Sequence, residues 1–188
     1  MISKKSIVLL TLATTTAGLF ILTQTAASNA TPHSIKLEGA WVSRVPQFGN
    51  QWTTMFAPTD PSGRSAVIWG ALQVSIPSQS FCTGVPPSDS TSDFTGEAVM
   101  TGPDTAAFTM VGYSLNQGQV VMTWVTTGEI KFASPVQANT TFVISYYKPE
   151  ADLNGDGLPE GEPFCVIASP VPTLDTRIGV VKTHHGKK

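Results

Sequence analysis

Between positions 120 and 132 the even residues read Val, Met, Trp, Thr, Gly, Ile and Phe, while Val121, Thr123, Val125, Thr127, Glu129 and Lys131 take the odd ones. A two-residue beat sends alternate side chains to opposite faces of an extended backbone, so one face of this run is apolar and the other mixed. The same beat runs through 66–76 and through 140–148, where Phe142, Ile144 and Tyr146 alternate with Val143, Ser145 and Tyr147. From Leu37 onward no stretch carries an apolar stripe at helical spacing over three turns. Weaker runs at 37–45, 51–57, 94–101, 105–115 and 163–168 bring the strand count to eight. Thr-Asp-Pro-Ser-Gly at 59–63, Thr-Gly-Pro-Asp at 101–104 and Asn-Gln-Gly-Gln at 116–119 supply turn chemistry between them.

Eight turn-separated strands predict an all-β fold, an antiparallel β-barrel of about eight strands, with a two-layer β-sandwich as the alternative. Long strands with Gly70, Gly112 and Gly128 inside them favour the barrel, since glycines permit the bulges and bends that curve a sheet. The segment 77–93, rich in Ser and Pro and holding Cys82, reads as the one long loop.

Residues 1–30 read as a signal peptide. Lys4 and Lys5 precede an apolar stretch from Ile7 to Leu22 that Thr14, Thr15, Thr16 and Gly18 interrupt, and Ser28, Asn29 and Ala30 form a small-residue cleavage signal. The expected location is secreted, periplasmic or extracellular, with no membrane span after cleavage. The barrel domain is expected over 31–176, followed by a flexible basic tail at 177–188. A chain of 188 residues with a net charge of −2 is not a polybasic nucleic-acid binder, so no nucleic-acid partner is expected. In an oxidising compartment the only two cysteines, Cys82 and Cys165, predict a disulfide.

The histidines restrict the chemistry. His33, His184 and His185 lie at the two ends of the chain, so a Ser-His-Asp triad, a Cys-His dyad or a histidine zinc site would have to recruit a terminal residue. Glu97 and Glu129 fall on the solvent phase of their strands, with Lys131 beside Glu129 as a charge partner. No catalytic residue is assigned, and the chain reads as more a binder than an enzyme.

The sharpest chemical motif is Asp152-Leu153-Asn154-Gly155-Asp156-Gly157-Leu158-Pro159-Glu160-Gly161-Glu162. Oxygen-bearing side chains stand at loop positions one, three and five, a glycine at position six, and a backbone carbonyl at position seven, the alternation that a hard cation such as Ca2+ takes. The loop resembles the calcium loops of the EF-hand, dockerin and thrombospondin type 3 families. That resemblance implies Asp152, Asn154 and Asp156 as side-chain ligands and Leu158 as a backbone ligand. Position twelve is Pro163 where an EF-hand has its bidentate glutamate, which leaves Glu160 or Glu162 to supply that carboxylate.

Gly39-Ala40-Trp41 at the start of the first strand resembles the Gly-x-Trp signature of lipocalins and related calycin barrels, whose tryptophan closes one end of the barrel against an arginine late in the chain. The resemblance implies Arg177 as that partner here. The resemblance implies a small apolar ligand inside the barrel, with Trp41, Trp69, Phe108, Met110 and Trp124 as lining residues. The chain is thus expected to be an exported, non-catalytic, calcium-stabilised β-barrel that binds a small apolar ligand or a surface partner. The alternatives are a barrel enzyme with acid-base or cyclase-like chemistry, and a structural cell-surface component whose exposed aromatics, Trp69 and Tyr113, form an adhesive patch.

Overall fold

The computed structural model describes residues 35–46, 51–72, 82–168 and 172–179. The expected signal peptide, His33, and residues 180–188 of the expected tail lie outside the described residues. Among the described residues ten strands follow one another: β1 (Gly39–Arg44), β2 (Gln51–Pro58), β3 (Ser65–Leu72), β4 (Ser90–Thr91), β5 (Phe94–Met100), β6 (Thr105–Asn116), β7 (Gln119–Ser134), β8 (Gln137–Tyr147), β9 (Cys165–Ala168) and β10 (Leu174–Arg177). Every pairing among them is antiparallel, and β10 pairs with both β1 and β8. The circuit β1-β2-β3-β5-β6-β7-β8-β10 therefore closes on itself as an eight-stranded barrel. β4 adds a short pairing on β6, and β9 one on β8.

The strand that closes the ring is not the one the sequence pattern marks. The apolar run at 163–168 is β9, which pairs with the far half of β8, whereas Leu174–Arg177 completes the circuit. That strand carries Asp175 and Arg177 on its inward phase, so it lacks the apolar beat by which the others are recognised. Arg177, the first residue of the expected tail, is the last residue of β10.

Inward residues are the even positions of β2, β3 and β5 to β8 and the odd positions of β1 and β10. Trp41, Phe56, Ile68, Phe94, Ala98, Phe108, Met122, Trp124, Ile130 and Phe132 are all buried there. The inward glycines do not mark bulges, as their positions had suggested. The register shifts fall between Ser114 and Leu115, and between Phe132 and Ser134. Each glycine instead leaves room for a ring from the neighbouring strand. A Cβ on Gly70 would stand 2.2 Å from the Phe94 ring, one on Gly112 2.1 Å from the Trp124 indole, and one on Gly128 2.8 Å from the Phe108 ring. In each pair glycine and aromatic are direct cross-strand partners. A narrow barrel can hold that many large rings only if positions beside them carry no side chain.

Loops divide between two ends. One end carries the β2-β3, β5-β6 and β7-β8 turns, together with the end of β10. There Asp60 accepts hydrogen bonds from the backbone N–H groups of Ser62 and Ser65 and from both hydroxyls. Lys131 pairs with Asp104 at 2.6 Å, not with Glu129. The opposite end carries the β6-β7 hairpin, the 148–164 connection, and the segment leading from Cys82 into β4. That segment is not free: Cys82 is joined to Cys165 in a disulfide, and Ser90 and Thr91 pair with Leu115 and Ser114.

Candidate functional site

The barrel encloses a cavity of about 100 Å³ whose wall is mostly aromatic and aliphatic. Four of the five lining residues expected from sequence stand on that wall: Trp41, Phe108, Met110 and Trp124. Trp69 does not. It lies on the outward phase of β3, 50% exposed, opposite the exposed Met55 of β2. The odd phase of β3 that the alternation marks as the solvent face includes Trp69, and the structure follows the phase.

Trp41, the tryptophan of the Gly-x-Trp motif, stands on β1. It is buried inside the barrel directly across from Arg177, its indole Nε1–H donates to the Glu38 carbonyl at 3.2 Å, and its ring meets Phe132 edge-on at 5.7 Å. Arg177 lies over Gly39, where an added Cβ would be 2.9 Å from its Nε, and it pairs with Glu38 at 3.2 Å. Gly39 has φ of +88°, a conformation that favours glycine, so the approach of Arg177 to this backbone depends on the glycine twice over.

Two further aromatic pairs shape the cavity. Trp52 packs edge-on against Phe142 at 6.1 Å, and Phe94 against Trp124 at 6.0 Å. Trp52 could have been found from the alternation of Trp52, Thr54 and Phe56. Tyr146 also faces the cavity, and burial pushes its hydroxyl up from the ordinary tyrosine value.

Among the described residues one acid reaches the interior, and sequence reasoning missed it. Asp175 is 6% exposed, lines the cavity, and accepts hydrogen bonds from Thr140 Oγ1 at 2.6 Å and Thr173 Oγ1 at 2.8 Å, with a third from the Ser43 hydroxyl. Desolvation holds its carboxyl above the ordinary aspartate value, and the three hydroxyls act against that shift. Glu97 and Glu129, by contrast, are exposed on the outer face, as their phase implied.

The acidic loop lies outside the cavity, in the connection between β8 and β9. A short 3-10 turn over Pro149–Ala151 leads into it, and the Tyr113 hydroxyl on the outer face of β6 donates to the Gly157 carbonyl at 3.1 Å. The Tyr113 hydroxyl is thus engaged by this loop, while Trp69 stands exposed on β3. Asp152, Asp156 and Glu160 bring carboxylate oxygens within 4.8 Å of one another. Asp152 accepts the N–H groups of Gly155 and Gly157, at 2.7 and 2.9 Å, and both glycines have positive φ. Asn154 turns its amide nitrogen toward Glu160 at 2.8 Å, while its Oδ1 accepts from the Asp156 N–H. Leu158 donates its N–H to Asp156, and Glu162 is exposed outside the cluster of three. Among the described residues no Lys or Arg pairs with these acids. A carboxylate that accepts one or two N–H groups keeps lone pairs free, so this donor set suits a hard cation.

A scan against protein-family models gives no match, and a search of curated proteins gives none. Among solved structures, one titled "Structure of EF1p2_mFAP2b bound to DFHBI" is similar at 20% identity and a TM-score of 0.41, covering 76% of this chain and 94% of that one.

Proposed function

We propose that this chain is an exported binding module that holds a small, largely apolar molecule inside its barrel. The observation that carries the reading is the cavity walled by Trp41, Trp52, Phe108, Trp124 and Phe142. A cavity of about 100 Å³ is of the order that admits a single ring or a short chain, since an apolar space of roughly 150 Å³ takes up benzene. The Cys82–Cys165 disulfide is consistent with an oxidising compartment, and among the described residues no helix is long and apolar enough to cross a membrane.

Calcium is the structural part of this proposal. Asp152, Asp156 and Glu160 would hold the ion, which would neutralise three clustered carboxylates and brace the β8-β9 connection just ahead of Cys165. The loop sits outside the cavity, so its ion is assigned to stability and not to the ligand.

The test is titration of the purified protein with toluene, followed by calorimetry and Trp fluorescence. The wild type is expected to bind one molecule, and Thr126→Phe, which grows a ring into the cavity, is expected to bind none while staying folded. Absence of binding in the wild type, or equal binding in the variant, would overturn the assignment.

A further inference from the structure

Most of the cavity wall is aromatic or aliphatic, with scattered hydroxyls, and its one charged group among the described residues, Asp175, stands with Ser43 and Thr140 on β10, β1 and β8, where the barrel closes. There Ser43, Asp175 and Ala138 face one another across β1, β10 and β8, and Trp52 of β2 stands directly opposite Ser43. Trp52, Ser43 and Asp175 therefore occupy one level of the barrel wall. Trp52 and Asp175 are two strand spacings apart, or about 10 Å.

Three hydroxyls point at the Asp175 carboxyl: Thr140 on Oδ2, Thr173 on Oδ1, and Ser43. An ionised carboxylate offers about four acceptor sites, so three neutral donors leave roughly one open. Among the described residues that line the cavity there is no Lys, Arg or His. A buried carboxylate without a cationic partner is costly, and that cost falls when a ligand brings the cation.

We propose that the barrel selects a small amphipathic amine, with its ammonium on Asp175 and its apolar body among the rings of Trp52, Phe142 and Trp41. The inference rests on the reading of the barrel as a small-molecule binder and names the chemical class of its ligand.

Asp175 also has a purely structural role available, since its hydroxyl partners tie β10 to β1 and β8 at the closure. The experiment separates the two. Purified protein is titrated with benzylamine, protonated at neutral pH, and with benzyl alcohol, its neutral isostere. Wild type is expected to bind benzylamine about tenfold more tightly, in line with a charge-assisted hydrogen bond inside a protein. Asp175→Asn keeps the shape and removes the charge, so it is expected to abolish that preference while still binding benzyl alcohol.

Equal affinities in the wild type, or a preference that survives in Asp175→Asn, would overturn the amine assignment and leave the binding of toluene standing. Failure of all three probes to bind would overturn the amine assignment together with the barrel reading. If Asp175→Asn does not fold, Thr140→Val is read in its place, since it frees an acceptor site on the same carboxylate. Tighter benzylamine binding with unchanged benzyl alcohol binding would then support the assignment, and no change in either would overturn it.

Discussion

Replacing both Cys82 and Cys165 with serine removes a cross-link that spans most of the barrel. The two cysteines are 83 residues apart in sequence, so the native bond closes a loop that contains β4, β5, β6, β7 and β8. In the chain-entropy account, closing a loop of that length costs the unfolded ensemble about 4.5 kcal/mol at room temperature. Both cysteines are only partly buried, so the serines leave little cavity behind them and the entropic contribution dominates. For a domain of this size each kcal/mol is worth about 2 to 4 °C in the unfolding midpoint, which puts the expected drop at about 9 to 18 °C. Circular dichroism melts of the wild type and the double variant measure it, and wild type treated with a phosphine reductant should match the variant. Midpoints that coincide within about 3 °C would refute the reasoning, because the cross-link would then constrain nothing that the unfolded chain explores.

Other consequences can be measured on the same preparation. Gly112→Ala puts a methyl 2.1 Å from the Trp124 indole, and is expected to cost about 1 to 3 kcal/mol and to shift tryptophan emission; an unchanged melt and spectrum would count against the ring-over-glycine packing. Asp175 has a folded pKa raised by burial, so its contribution is fully present below about pH 3.8 and is lost as pH rises through the higher folded value. Asp175→Asn should therefore gain on the wild type as pH climbs through that window, and a constant gap between their melting points would contradict the assigned burial. Asp60 has the opposite sign: hydrogen bonds led by the Ser62 hydroxyl hold its carboxyl low, so its contribution is present above about pH 3.8 and is lost on further acidification. Asp60→Asn should close its gap to the wild type below that pH, where the two windows do not overlap. Calcium at millimolar concentration should raise the wild-type midpoint relative to EGTA and leave an Asp152→Ala, Asp156→Ala double variant unmoved; equal midpoints in the wild type would remove calcium from the loop.

Much of the architecture is legible in the chain because a strand with one buried face must alternate. The phase of 66–76 puts Ile68 inward and Trp69 outward, and the phase of 120–132 does the same for Trp124 and Glu129. Trp69, which the barrel resemblance implies as a lining residue, follows that phase and lies outside the cavity. Trp52 was equally readable from the beat of β2. Asp175 was not, since a strand as short as Leu174–Arg177 with an acid on its inward side gives no apolar signal.

The sequence by itself determines that the chain is built of antiparallel strands, that its cysteines come as one pair, and that an acidic, glycine-rich loop precedes the second cysteine. These properties depend on neighbours along the chain, through side-chain alternation, turn chemistry and the count of a residue type. Which strand closes the ring, how glycines and rings share the interior, and how a carboxyl comes to face an aromatic cavity belong to the tertiary structure. Those depend on residues brought together from far apart, as Ser43, Thr140 and Asp175 are, and their meeting is decided by the curvature and register of the whole barrel.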